Sequence, residues 1–220
     1  MGVDGKYRQM VKPLRLFVFA LSLCALVSLD VAEAQIPREE PTDNVRRRAA
    51  EKLLARNPYW DGFRLKHQGD CAGAIELLRP LAKGGRGFED AQVALGECLV
   101  QQAGIVNLAD AASRMQSVAV SDQAMLAEGL QWLLMAANSG DFKAQGILVE
   151  LYVVKQGPNA DPIDGAKWAH LYLTNPNRLT IGAPVFIAHV IDNLQSQITT
   201  DEWLLGKERA RVWTPRFDAP

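Results

Sequence analysis

The sequence predicts an all-α fold, an α-solenoid of antiparallel helix pairs, on three observations. Val, Ile, Tyr and Thr never alternate with polar residues over a strand length; apolar residues recur instead at three and four, the helical period. Turn signals cut the chain into short pieces: NP at 57–58, QGD at 68–70, KGGRG at 83–87, NSGD at 138–141, QGPNADP at 156–162 and TNPN at 174–177. That spacing leaves about ten helices of roughly 10–16 residues joined by tight turns. Third, EGLQWLLMAANSGDFK from Glu128 and DGAKWAHLYLTNP from Asp164 set an acidic residue, a glycine and a tryptophan in one register, with Trp132 and Trp168 lying 36 residues apart. A fixed period of that length marks stacked supersecondary units.

The first segment, residues 1–34, reads as a secretory signal peptide. Lys6, Arg8, Lys12 and Arg15 precede an uncharged run from Leu16 to Leu29, and Ala32 and Ala34 give a small-x-small cleavage site before Gln35. The competing reading is an uncleaved anchor, but fourteen uncharged residues span about 21 Å as helix, short of the roughly 30 Å hydrocarbon core. A lipid anchor at Cys24 is disfavoured by the bulk of Leu23. The expected location is therefore the periplasm or beyond. Removing four basic and three acidic groups from 24 and 25 leaves 20 against 22, a balance that argues against a nucleic-acid surface.

Residues 35–69 read as N-terminal helices, one starting near Thr42 or Asp43, with Arg46, Arg47 and Arg48 on its solvated face. Residues 70–175 carry the repeats. AQVALGECL at 91–99 aligns with AQGILVELY at 144–152, matching at alanine, glutamine, leucine and glutamate. AIELLRPLAKGG at 74–85 aligns more loosely with 129–140 and 165–176. Between Leu99 and Trp132 the chain is about 17 residues longer than the period allows. That insert, near 103–127, reads as a lengthened helix or a helical turn-back, with Ser121 or Asp122 starting the next helix. Residues 176–220 read as capping helices and a tail. The last helix has a Thr199–Glu202 capping box before Trp203 and Leu204, and Pro215 stands just beyond it.

A helix pair of this kind has one apolar stripe per helix and needs neighbours to bury it. Small residues at Ala91, Ala136, Ala137 and Ala144 let axes approach, and Trp132 and Trp168 read as core wedges between successive pairs. Cys71 and Cys98 flank the turn KGGRGF at similar distances, so an antiparallel hairpin sets their sulfurs at similar depth. An oxidising compartment makes them a disulfide candidate; the other reading is two buried thiols packed as small hydrophobes.

The ordered series Ala91, Leu95, Gly96, Trp132, Ala136, Ala137, Gly140, then Ala144, Leu148, Tyr152, Asp161 and Trp168, resembles the Sel1-like repeat family, a relative of the tetratricopeptide repeats. One departure is Val149, where the family has the glycine that lets two helices touch. The resemblance implies that the first helix of each pair lines a concave groove. Its non-core positions are Gln92, Glu97, Gln101, Gln145, Val149 and Val153. Cysteine-bridged relatives exist, which favours the disulfide.

No HExxH, GxSxG, Walker loop, CxxC or calcium loop occurs in the sequence. His67, His170 and His189 have no partners at metal-ligand spacing, and Asp161 and Asp164 read as capping residues at a helix start. Neither metal nor cofactor is expected, and no catalytic residue is assigned. The resemblance implies a non-enzymatic scaffold or regulator that binds a protein partner, for example a membrane-bound sensor. One alternative is an envelope factor that binds peptidoglycan or its enzymes. Another is a hydrolase acting on β-lactam or cell-wall substrates, for which the chain lacks SxxK and KTG.

Overall fold

In a computed structural model the described residues are 44–48, 57–158, 161–185 and 187–217. They contain ten helices and no strand. These are α1 (Pro58–His67), α2 (Cys71–Ala82), α3 (Glu89–Gln102), α4 (Leu108–Ser113), α5 (Gln123–Asn138), α6 (Phe142–Val153), α7 (Pro162–Thr174), α8 (Pro176–Thr180), α9 (Ala188–Gln197) and α10 (Thr200–Arg211). Residues 44–48 add an exposed helical stretch that carries the three arginines. The expected signal peptide at 1–34 and its cleavage site lie outside the described residues.

Most helix starts were legible as caps. Asn57, Asp70, Asp122, Asp141, Asp161, Asn175 and Thr199 each accept a backbone N–H of the first turn through their side chains. The Thr199–Glu202 capping box forms in both directions. Of the two starts expected for α5, the cap is Asp122, accepting from Met125 N at 2.9 Å.

Successive helices pack in the order α1, α2, α3, α5, α6, α7 and α10. Ion pairs join alternate members of that series: Lys66 to Glu97, Arg79 to Glu128, and Lys143 to Asp90 at 3.0 Å. Such links place α1, α3 and α6 in one rank and α2 and α5 in the other. Trp132 belongs to a core cluster with Cys71, Leu78, Leu95 and Cys98 of the α2–α3 hairpin. Trp168 belongs to the cluster holding Leu133, Leu148 and Leu151 of the α5–α6 hairpin. Each tryptophan is thus grouped with the pair before its own helix.

Two close crossings depend on glycine. A Cβ on Gly96 would lie 3.0 Å from Gly129 O and 2.7 Å from Leu133 Cγ, so α3 and α5 touch backbone to backbone. In the next unit Val149 stands at the place of Gly96. Gly165, at the place of Gly129, meets the Tyr152 side chain instead, 3.0 Å from its Cγ.

The insert proves to be a turn-back. After Ala103 and Gly104 the chain forms the short α4, runs without regular structure through 116–120, and returns where Ser121 N and Oγ both donate to Ala103 O, at 2.8 and 3.0 Å. Helix α4 packs on α6, as does α9, and α4 and α9 pack on each other. Between them and its neighbours α5 and α7, α6 is enclosed. Every residue from Ala144 to Val154 is buried except Ile147, which is half-buried. A helix apolar on all sides is an interior helix, not the wall of a groove.

Candidate functional site

The enclosure of α6 changes what the groove positions do. Val149 and Val153 are buried, at 0% and 2% exposure, and are not open to a partner. Gln92 and Gln145 are interior as well. Gln92 Nε2 donates to Ala82 O at 3.2 Å, and Gln145 Nε2 donates to Ala137 O at 3.3 Å. At matching places in two units, each amide satisfies a last-turn carbonyl of the preceding helix, a group with no partner inside its own helix. Gln145 Oε1 further accepts from Asn175 Nδ2 at 3.0 Å, and that same Nδ2 donates to Gly140 O at 2.9 Å. These four positions are therefore corrected from groove to core.

Glu97 and Gln101 of α3 do reach solvent. Glu97 pairs with Lys66 across the rank, and Gln101 Oε1 accepts from Cys71 Sγ at 3.3 Å. Further along the same rank, at the place in α6 that matches Glu97, stands Glu150. It is 9% exposed, and its carboxylate makes no ion pair or hydrogen bond among the described residues. Burial, and then the charge of Glu97, push its carboxyl up to about 7. The matching glutamates were visible in the aligned AQVALGECL and AQGILVELY. The missing cation was not, because it depends on the elements packed around α6.

Cys71 and Cys98 are both buried, and both are free thiols. The two side chains belong to one core cluster. Burial first and the neighbouring Cys71 thiol second push the Cys98 thiol well above the usual thiol range. A neutral, enclosed thiol is a poor nucleophile.

His170 packs on Trp203, ring centroids 4.4 Å apart, and burial lowers its pKa. His189 Nε2 lies 2.6 Å from Ser113 Oγ, joining α9 to α4. No group of three or more His, Cys, Asp or Glu able to hold a metal occurs among the described residues. Asp161 caps α7, and together with Asp164 it also grips Arg209 of α10, at 2.6 and 2.7 Å. Among the described residues no helix is long and apolar enough to cross a membrane.

Sequence reasoning missed Arg178. It is 4% exposed, donating from Nε to Tyr172 O at 2.9 Å, from Nη1 to Ala183 O at 2.8 Å and from Nη2 to Leu173 O at 2.6 Å. An arginine just past the end of a helix is the signal that marked it, though nothing in the sequence says that it turns inward. Comparison of the chain with protein-family models, with curated proteins and with solved structures found no match.

Proposed function

We propose that the chain is an exported, non-enzymatic scaffold of Sel1-like helix pairs that binds a protein partner, such as a membrane-bound sensor of the cell envelope. The observation that carries this reading is the recurrence of one device: Gln92 and Gln145, in matching places, each hold the last-turn carbonyl of the preceding helix. Recurrence at that level of detail supports units built to stack. A stack offers an extended face to a partner rather than one deep cleft.

Since α6 is enclosed, the face offered is the C-terminal end of α3 beside α1. There Lys66, Glu97 and Gln101 stand together at the surface. Paired charge and an exposed amide suit the polar rim of a reversible protein contact. The basic leader, apolar run and small-residue site of residues 6–34 support export to the periplasm or beyond.

A photo-crosslinking amino acid at Gln101, introduced in the producing cell, tests the reading. The expected outcome is one discrete protein adduct that is absent when the crosslinker sits at the buried Val153. Adducts to sacculi alone, or turnover of a chromogenic β-lactam by the purified protein, would overturn it in favour of a cell-wall binder or a hydrolase.

A further inference from the structure

A pocket of about 400 Å³ lies on the other side of the fold's C-terminal end, between α7 and the segment that follows α10. Its walls include Asp164, Lys167, Arg209, Val212, Trp213 and Arg216. Arg209 takes both nearby carboxylates, Asp161 and Asp164, so these three side chains carry a net single negative charge. Lys167 and Arg216 remain. Lys167 forms no ion pair among the described residues; its Nζ sits over the Trp168 ring, 3.9 Å from the centroid. Arg216 is anchored by its backbone, N to Asn138 O at 2.8 Å, and its guanidinium is likewise unpaired among the described residues.

Burial pushes the Lys167 ammonium below its ordinary range; Asp164 opposes this, and Arg216 and Arg209 add to it. A cation held out of water beside two others is stabilised by a bound anion.

We propose that this pocket binds a carboxylate carried on an apolar group, either the C-terminal residue of a peptide or a free small acid of the same kind. Lys167 and Arg216 take the carboxylate oxygens, the guanidinium through its planar fork. Val212 and Trp213 take the apolar group. Two unpaired cations beside Asp164 match a monoanion, while a phosphate dianion would meet that carboxylate at close range. Only the peptide source rests on the scaffold reading; the chemistry of the pocket stands apart from it.

The test is a titration of the purified protein with acetyl-Gly-Ala-Leu as the free acid, with its C-terminal amide, and with acetyl-leucine, followed by tryptophan fluorescence. The free acid is expected to bind at least tenfold more tightly than the amide. Lys167→Gln and Arg216→Gln are each expected to weaken the acid by tenfold or more with helicity unchanged. Arg216 is exposed, so its variant keeps the test sound if Lys167→Gln misfolds. Acetyl-leucine binding as tightly as the tripeptide makes a free acid the source, and tighter binding of the tripeptide makes it a chain terminus. Equal binding of acid and amide, or binding of neither, overturns the proposal. If a Gln101 adduct still forms in cells in that case, the scaffold reading survives and the pocket alone is lost.

Discussion

Placing a carboxyl on the enclosed α6 with no cation beside it couples folding to pH at Glu150. Its pKa is about 7 in the fold against an ordinary 4.5, so over that interval the folded chain keeps a proton that the unfolded chain releases. The stabilising contribution is complete below the unfolded value and is lost as pH rises through the folded one. Above it the loss amounts to about 3 kcal/mol. Glu150→Gln should flatten this dependence: urea midpoints at pH 5 and pH 8 should lie closer together in the variant than in the parent, and the variant should be the more stable at pH 8. A parent-like pH slope in the variant would show that Glu150 is solvated. Gly206 makes a second prediction at this scale. A Cβ there would meet Ala166 and lie 2.8 Å from both Ile163 O and Lys167 N. Gly206→Ala should cost about 1–3 kcal/mol through overpacking, read from the urea midpoint. Neither position announces itself in the sequence, since each acquires its character from residues distant in the chain.

The helices themselves were the most legible level. Their starts carry side-chain caps that act within three residues, so the information is local. The end of α7 is different. Arg178 reaches back over it to satisfy Tyr172 O and Leu173 O while holding Ala183 O. Removing a charged donor from buried acceptors leaves them unmet, so Arg178→Met should lower stability by about 2–4 kcal/mol. Hydrogen exchange should localise the loosening to α7 and α8. In the α2–α3 hairpin the turn set Cys71 and Cys98 at similar depth, and both lie in one core cluster as free thiols. If the chain is exported, oxidation should close them into a loop worth about 3–4 kcal/mol. Alkylation of the denatured, unreduced protein from the cell envelope checks this: no label is expected, and two labels per chain would show that the pair stays reduced.

Across residues 70–175 the 36-residue period was readable from recurring small residues and two tryptophans. Trp132 and Trp168 fill separate seams. Truncating either to Ala should therefore cost about 3–5 kcal/mol, and the double variant should approach the sum of the two, as measured by denaturant unfolding. What the period could not disclose was the fate of α6. Its cover comes from α4 and α9, which lie outside the repeating pattern, so Val149 and Val153 looked available when they are enclosed. The resemblance supplied a pattern for the stack, and the irregular segments decided which part of it stays open.

The path between Ala103 and Ser121 carries a consequence of its own. The polypeptide departs and rejoins at a single carbonyl oxygen, like a siding that leaves a railway and returns to the same junction. Trimming that siding should leave the tracks on either side aligned, with Gly96 still against Gly129, while stripping shelter from the helix it leans on. The inner glutamate's proton affinity would then report how much of that shelter the detour provides.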